Sequence, residues 1–429
     1  MQLFELQFYS LSGVNFTWQV KYEDGQEQVI FDFFEILEFK IHEETRTIEL
    51  LSTQKYTTEL KTKLKVFVDK YKNQQPSIQR FISIFQRLEL DEYFFVIPPI
   101  DLNTQKKYLL EVELMKLNGS YNEEYMAKSI ELFQDILNSY EVISFDLNKS
   151  KIKIGKGRKS ERICRFCQGS QPDVSFKNEA HAVSEALGNK KLILNEECDA
   201  CNSFFDQQIE RDFIAYHDFA RTIYGIKNKE NSIPKMSGAN FRLYKDEEKN
   251  LTIAVLNKKV GFNERETETN ELEGLTLCTN DKIRLQNIYK TLCKYALSVV
   301  DDKYLKNFEE TIKWIKGERE IAHLPKVAQL HSYHFFAKQP EITVFVRNNN
   351  DRRFPYMVCE FRIALFLYIF IVPLSKEDDR MFLKEIEYDD FLNCFKHINK
   401  LDEFSFSDLS DDQARKININ IKFEKILQS

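Results

Sequence analysis

Residues 164–213 read CRFCQGSQPDVSFKNEAHAVSEALGNKKLILNEECDACNSFFDQQIERDF, and two cysteine pairs in this stretch set how the rest of the chain is read. Cys164/Cys167 and Cys198/Cys201 are each spaced Cys-x-x-Cys, and between them lies one histidine, His181. Four thiolates presented on two such knuckles match the tetrahedral, sulfur-rich shell of a structural zinc ion. Scatter rarely places four of a chain's eight cysteines in two such pairs, so a bound Zn2+ is expected. The second knuckle runs directly into Asn202 and an acidic helix.

Working outward, Ile209, Phe213, Tyr216, Ala220 and Ile223 recur at a helical period, so a helix from Asn202 to about Ile223 must pack against a neighbour. On the other side, residues 151–165, KIKIGKGRKSERICR, carry seven cationic side chains against one acid, Glu161, in a chain of net charge -6. Such a run is often a solvated linker. This one feeds straight into the first knuckle, and Lys/Arg clusters beside a compact site neutralise phosphates and release counterions. Arg158, Lys159, Arg162 and Arg165 are therefore the candidate phosphate contacts.

The remainder is informative about class. A chain of 429 residues is too long for one ordinary core. With 36 Phe and 19 Tyr against 12 Gly and 9 Pro, it has the material for packed cores and little for long disordered tracts. The modest net charge gives no global attraction to nucleic acid, so any basic site is local. Cys278, Cys293, Cys359 and Cys394 stand singly in apolar segments and read as small buried hydrophobes. A zinc site without a disulfide pattern, behind an amino terminus lacking a basic n-region, predicts a cytoplasmic protein. The longest apolar run, Ile363 to Leu374, is shorter than the roughly 20 residues of a membrane span and reads as a buried central strand.

The expected architecture is α+β and multidomain: a first unit at 1–150, a central basic-plus-zinc module at 151–225, and a third unit at 226–429 with a regulatory, sensing or dimerisation role. In the first, strands are predicted at Leu3–Leu11, Phe16–Tyr22, Glu35–Ile41, Thr47–Leu51, Tyr93–Ile97 and Glu141–Phe145. Helices are predicted at Ser77–Leu88 and after Ser120, which with Glu123 makes a capping box. In the third, a hairpin-like Leu243–Val260 and an acidic loop at Asn263–Glu273 precede helices at Ile283–Val300 and Tyr304–Ile315. Strands at Glu341–Arg347 and Met357–Val372 follow. His42 reads as a surface residue, and His331 with His334 as ordinary histidines, because no acid or cysteine accompanies them closely.

Cys164-x-x-Cys167, Glu179-Ala180-His181 and Cys198-x-x-Cys201-Asn202, in that order, resemble the HNH endonucleases, specifically the zinc-knuckle branch of the ββα-metal superfamily. HAVSEALGN is similar to the histidine-then-loop portion of bacterial defence-type members. The resemblance covers about Ile163 to Phe213 and implies a β-hairpin followed by a helix, a divalent Mg2+ or Mn2+ ion in the crevice between them, and the zinc outside it. It makes His181 the general base, and an imidazole of pKa about 6.5 can take a proton from water at neutral pH. Asn202 falls where such enzymes place a metal ligand. Asp206 lies one turn on, with Glu210 a further turn along as the alternative. Ala180 stands where many relatives carry a metal-binding Asp or His; Glu179 shares a strand face with His181 and is the substitute candidate. The asparagine that orients the base is Asn189 or Asn195, with Asn189 favoured by its place in the loop.

These readings converge on a metal-dependent endonuclease hydrolysing DNA phosphodiesters; the sequence does not separate DNA from RNA as the substrate. Defence against phage or foreign DNA, an activating partner and a homodimer are further implications. Two others compete: a zinc-stabilised nucleic-acid-binding module without catalysis, for which Ala180 speaks, and a zinc domain serving protein assembly.

Overall fold

The computed structural model describes residues 2–422, apart from 13–14, 24–26, 43–46, 50, 74–77, 79–84, 99–103, 146–150, 229, 247–249, 256–273, 333–335 and 401–403. The chain divides into two compact units, Met1–Glu131 and Leu132–Ser429, with the division inside the helix Glu123–Ser139. Helices and strands mix in both, as an α+β chain requires.

The first unit is built on a four-stranded antiparallel sheet in the order Asn15–Tyr22, Gln2–Tyr9, Tyr93–Ile97, Thr53–Lys55. The aromatic content accounts for its core. Phe8, Trp18, Phe33, Phe67 and Phe94 are buried together, many in edge-to-face pairs that suit ring quadrupoles. The expected strand at Glu35–Ile41 is instead the end of a helix, Gln28–Ile36, followed by a short strand, Lys40–His42. Val29, Ile30, Phe33 and Phe34 form that helix's buried face, a 3.6-residue pattern beginning upstream of the expected strand. His42 is exposed beside Glu49. The expected helix at Ser77–Leu88 falls largely outside the described residues.

The second unit contains a six-stranded antiparallel sheet in the order Ser405–Ser407, Val327–His331, Phe366–Ile371, Met357–Ala364, Ala337–Arg347, Tyr140–Ser144. The last strand, read from sequence with the first unit, pairs with Ala337–Arg347. The run expected as one strand over Met357–Val372 folds back on itself at Ala364, whose φ of 51° turns the chain so that Ile363 pairs with Phe366. Both faces of the sheet are covered, which is why its strands read as near-continuous apolar runs. Ile136, Phe391, Leu392 and Phe395 cover one face; the helices Arg211–Tyr224, Leu285–Val299 and Glu309–Ile315 lie on the core that covers the other.

Leu285–Val299 departs most from its sequence reading. The stripe Leu285, Ile288, Leu292, Tyr295, Val299 predicts one apolar face, yet nearly every residue of the helix is buried, including Gln286, Asn287, Lys290 and Lys294. Several of its polar side chains bond internally; Gln286, for example, accepts from the indole of Trp314 and donates to the carbonyls of Ile321 and Ser410. The helix expected at Tyr304–Ile315 is two pieces, Asp302–Leu305 and Glu309–Ile315. The pair Phe241–Lys245 and Leu251–Val255 confirms the hairpin-like start of this region, and the acidic loop after it lies outside the described residues. Among the described residues, no helix is long and apolar enough to cross a membrane.

Candidate active site

The site grows from a three-strand ribbon and a helix. Ile152–Ile154 runs parallel to Leu192–Leu194. On the other side, His181 bridges Ile193 in antiparallel sense, with Leu194 N donating to Ala180 O and Ala182 N to Leu192 O. The hairpin loop is held by Asn189, whose Nδ2 donates to the carbonyls of Val183 and Leu192 while Oδ1 accepts from the amides of Lys191 and Leu192. Those four bonds use both donors and both lone pairs of the amide. Asn189 is thus saturated by backbone, and the expected orienting bond to the imidazole has no atom left to make it. Asn195 donates to Gly155 O and ties the ribbon to the basic segment.

The helix follows at once: Asp199–Phe205 is α-helical, Asp206–Glu210 is a π-turn, and Arg211–Tyr224 is α-helical again. The N-cap is Cys198, whose sulfur accepts from Cys201 N. All four knuckle sulfurs lie within 4.8 Å of one another, with Cys167 and Cys198 at 3.7 Å. Ligands about 2.3 Å from a tetrahedral zinc are about 3.8 Å apart, so the donor set fits that ion in number, softness and spacing. Cys164, Cys198 and Cys201 are buried and Cys167 is at the surface. Hydrogen bonds from the Cys201 thiol and from the knuckle's backbone amides hold Cys164 down at about 4, outweighing burial. Burial pushes Cys198 up to about 11. Thiols divided in this way need a cation before all four can ionise.

His181 is half-buried. Burial lowers its pKa, and the carboxylates of Glu185 and Glu179 oppose that shift, leaving an imidazole that is neutral at pH 7 and able to accept a proton. Glu185, in the short turn Glu185–Leu187, is an acid near the histidine that the sequence reading passed over.

The candidate ligands for a second, catalytic ion are placed unequally. Glu179 is engaged by Lys151 at 2.5 Å on the surface. The π-turn swings Glu210 inward: Asn202 is half-buried and Asp206 exposed, while Glu210 is buried, so the three do not share one face as an i, i+4 ladder would. Glu210 meets Lys294 at 3.0 Å, and Lys294 also meets Glu197 at 3.2 Å. Burial works against charge on Lys294, but the two carboxylates outweigh it and raise its pKa. Burial pushes Glu197 up to about 7 even with that ammonium beside it. Among the described residues, the four cysteines are the one group of three or more His, Cys, Asp or Glu donors gathered closely enough to hold an ion. Asn202 and Asp206 remain as oxygen donors on adjacent turns at the solvent side of the helix, and their chemistry suits a hard cation.

The basic segment also divides. Arg158 and Lys159 are exposed, and Arg162 is partly so, with its guanidinium on the carbonyls of Lys156 and Gly157. Arg165 is not available to phosphate. Its side chain is 2% exposed, its Nη1 donates to the carbonyls of Leu297, Ser298 and Val300 at 3.0–3.1 Å, and its Nη2 to Glu196 at 3.0 Å. It caps the orphan carbonyls at the end of Leu285–Val299, a partner 132 residues away that no local pattern announces. Glu196 in turn accepts from Lys156 N, and the chain passes it at Gly155, where φ is 83° and a Cβ would lie 2.5 Å from the carboxyl.

Of the other histidines, His217 is buried between the helix and the sheet, bonded to Phe213 O and the Tyr368 hydroxyl. His331 packs edge-on against Phe366, and His334 lies outside the described residues.

Searches of curated proteins and of solved structures found no match to the chain. Residues 164–216 match the family model of the HNH endonucleases. The matched stretch contains both cysteine knuckles, the histidine strand and about two thirds of the helix; it is an HNH endonuclease domain, and its gathered cysteines fit the zinc-knuckle kind.

Proposed function

We propose that the chain is an endonuclease that hydrolyses DNA phosphodiester bonds with His181 as general base. The observation that carries this reading is a half-buried histidine on the hairpin of a stretch that matches the HNH endonucleases, with an exposed basic segment leading into its first knuckle. His181 takes a proton from water, and the hydroxide attacks the phosphorus in line with the departing 3′ oxygen. Asn202 and Asp206 would hold Mg2+ or Mn2+, which supplies charge neutralisation to the phosphoryl and leaving oxygens when bound. Arg158, Lys159 and Arg162 grip the backbone phosphates on either side. The four cysteines hold Zn2+ as a structural ion. One hydrolytic centre cuts one strand, so duplex cleavage calls for a homodimer. A cytoplasmic role in defence against foreign DNA, with an activating partner and control or substrate grip from the flanking regions, rests on the family resemblance.

A second reading has its own support: Ala180 offers no ligand, and Glu179 and Glu210 each hold a lysine, which favours a zinc-stabilised module that binds nucleic acid without cutting it. Incubating the full chain with plasmid, single-stranded DNA and RNA in Mg2+ or Mn2+, beside EDTA and His181→Ala controls, separates the two. Metal-dependent nicking lost in the variant supports the nuclease. Retention on DNA with no cutting supports the binding module, and neither result leaves a role in assembly.

A further inference from the structure

We infer that Lys294, on a helix outside the matched domain, is a positioning residue for the His181 centre. The inference rests on the reading of His181 as the base. The Lys294 side chain is 1% exposed; its ammonium forms ion pairs with Glu210 Oε1 at 3.0 Å and Glu197 Oε2 at 3.2 Å and donates to the His181 carbonyl oxygen at 3.4 Å. Each acceptor belongs to a different element of the domain. His181 is on the hairpin, Glu197 immediately precedes the second knuckle, and Glu210 ends the π-turn of the helix. The two ion pairs and the one hydrogen bond hold the three elements against one another through a single buried cation.

The π-turn makes this possible. It carries Glu210 to the buried side, and it leaves the Gln208 carbonyl to accept from Asn287 Nδ2 on the same downstream helix. Asn287 also bonds Asp212, and Arg165 closes the far end of that helix. The helix Leu285–Val299 is therefore bonded to the domain at its start, middle and end. Lys294 is the contact that reaches the peptide bearing the base. Fixing the carbonyl of residue 181 fixes its peptide plane, and through it the direction in which the imidazole leaves the strand. Misplacing a reacting group by about 1 Å costs on the order of 100-fold in rate, so this tether bears on turnover more than on DNA affinity.

The test uses the full chain and two variants. Lys294→Met leaves two carboxylates buried without a cation and is expected to melt early. The triple change Lys294→Met, Glu197→Gln, Glu210→Gln removes the charges together while cutting the tether. For the triple variant, one zinc per chain and a cooperative melt are expected. So are a fall in kcat for plasmid nicking of roughly 10- to 100-fold with little change in KM, and a displaced or split His181 signal in spectra of histidine labelled at Cε1. A folded triple variant with wild-type kcat and an unmoved His181 signal overturns the inference. If the wild-type chain cuts nothing, or His181→Ala cuts as well as wild type, the reading of His181 as the base fails, and the His181 signal then tests the tether by itself: a shift upholds the positioning of the histidine and an unmoved signal overturns it.

Discussion

Replacing Arg165 by alanine separates a structural arginine from a phosphate-binding one. The change removes three charge-assisted bonds to the carbonyls ending Leu285–Val299 and one to Glu196, whose carboxylate is left 3% exposed. Hydrogen bonds to a charged group contribute about 1.5–3 kcal/mol each, and breaking a buried ion pair from one side costs about 3–5 kcal/mol. These losses overlap, so about 4 kcal/mol of destabilisation is expected for the second unit. The chain has two tryptophans, Trp18 in the first unit and Trp314 in the second, where the indole is fully buried against Tyr289 of the capped helix. In a Trp18→Phe background, urea unfolding followed by fluorescence therefore reads the second unit alone. Arg158→Ala and Lys159→Ala, on exposed side chains, should leave that curve within about 0.5 kcal/mol. Each should instead lower the slope of log K against log salt for DNA binding by about 0.9 for every phosphate it no longer neutralises. An Arg165→Ala protein as stable as wild type but weakened on DNA would refute the reasoning.

Four other outcomes can be checked. Gly155→Ala, which puts a Cβ at positive φ against Glu196, should cost roughly 2 kcal/mol in the same urea assay, and a neutral result would contradict the close approach. Stripping zinc with a strong chelator should release one ion per chain and lower the melting temperature by about 10 °C or more; an unchanged melt would make the four cysteines incidental to folding. Burial holds His217 down at about 4, below its unfolded value of about 6.5. Its contribution, about 3 kcal/mol, is therefore whole above pH 6.5 and is lost as pH falls toward 4. His217→Gln should flatten that part of the stability profile, and superimposable profiles would contradict it. Asp206→Ala should reduce metal-supported cutting at least about 10-fold while Glu179→Ala changes it little, and the reverse order would reassign the ion's ligands.

The sequence by itself determined the zinc knuckles, the base candidate and the class of domain, because each is local. Cys-x-x-Cys places two sulfurs on one turn whatever surrounds it, and the order of knuckle, histidine, knuckle and helix is kept within 50 residues. It also determined that the later strands are buried, since both faces of their sheet are covered and the runs are apolar throughout.

Only the tertiary structure decided which charged residues are exposed. Arg158 and Arg165 look alike in a basic run, yet one lies in water and the other ends a helix 132 residues away. Asp206 and Glu210 stand four apart, yet a π-turn sends one outward and the other to Lys294. Lys294 itself sits where an amphipathic reading expects solvent, because a helix stripe of five apolar residues does not reveal that the remaining faces are buried as well. The physical reason is common to all three. Burying an ion demands a partner, and that partner is chosen by the packing of distant segments, which no periodicity within either segment records.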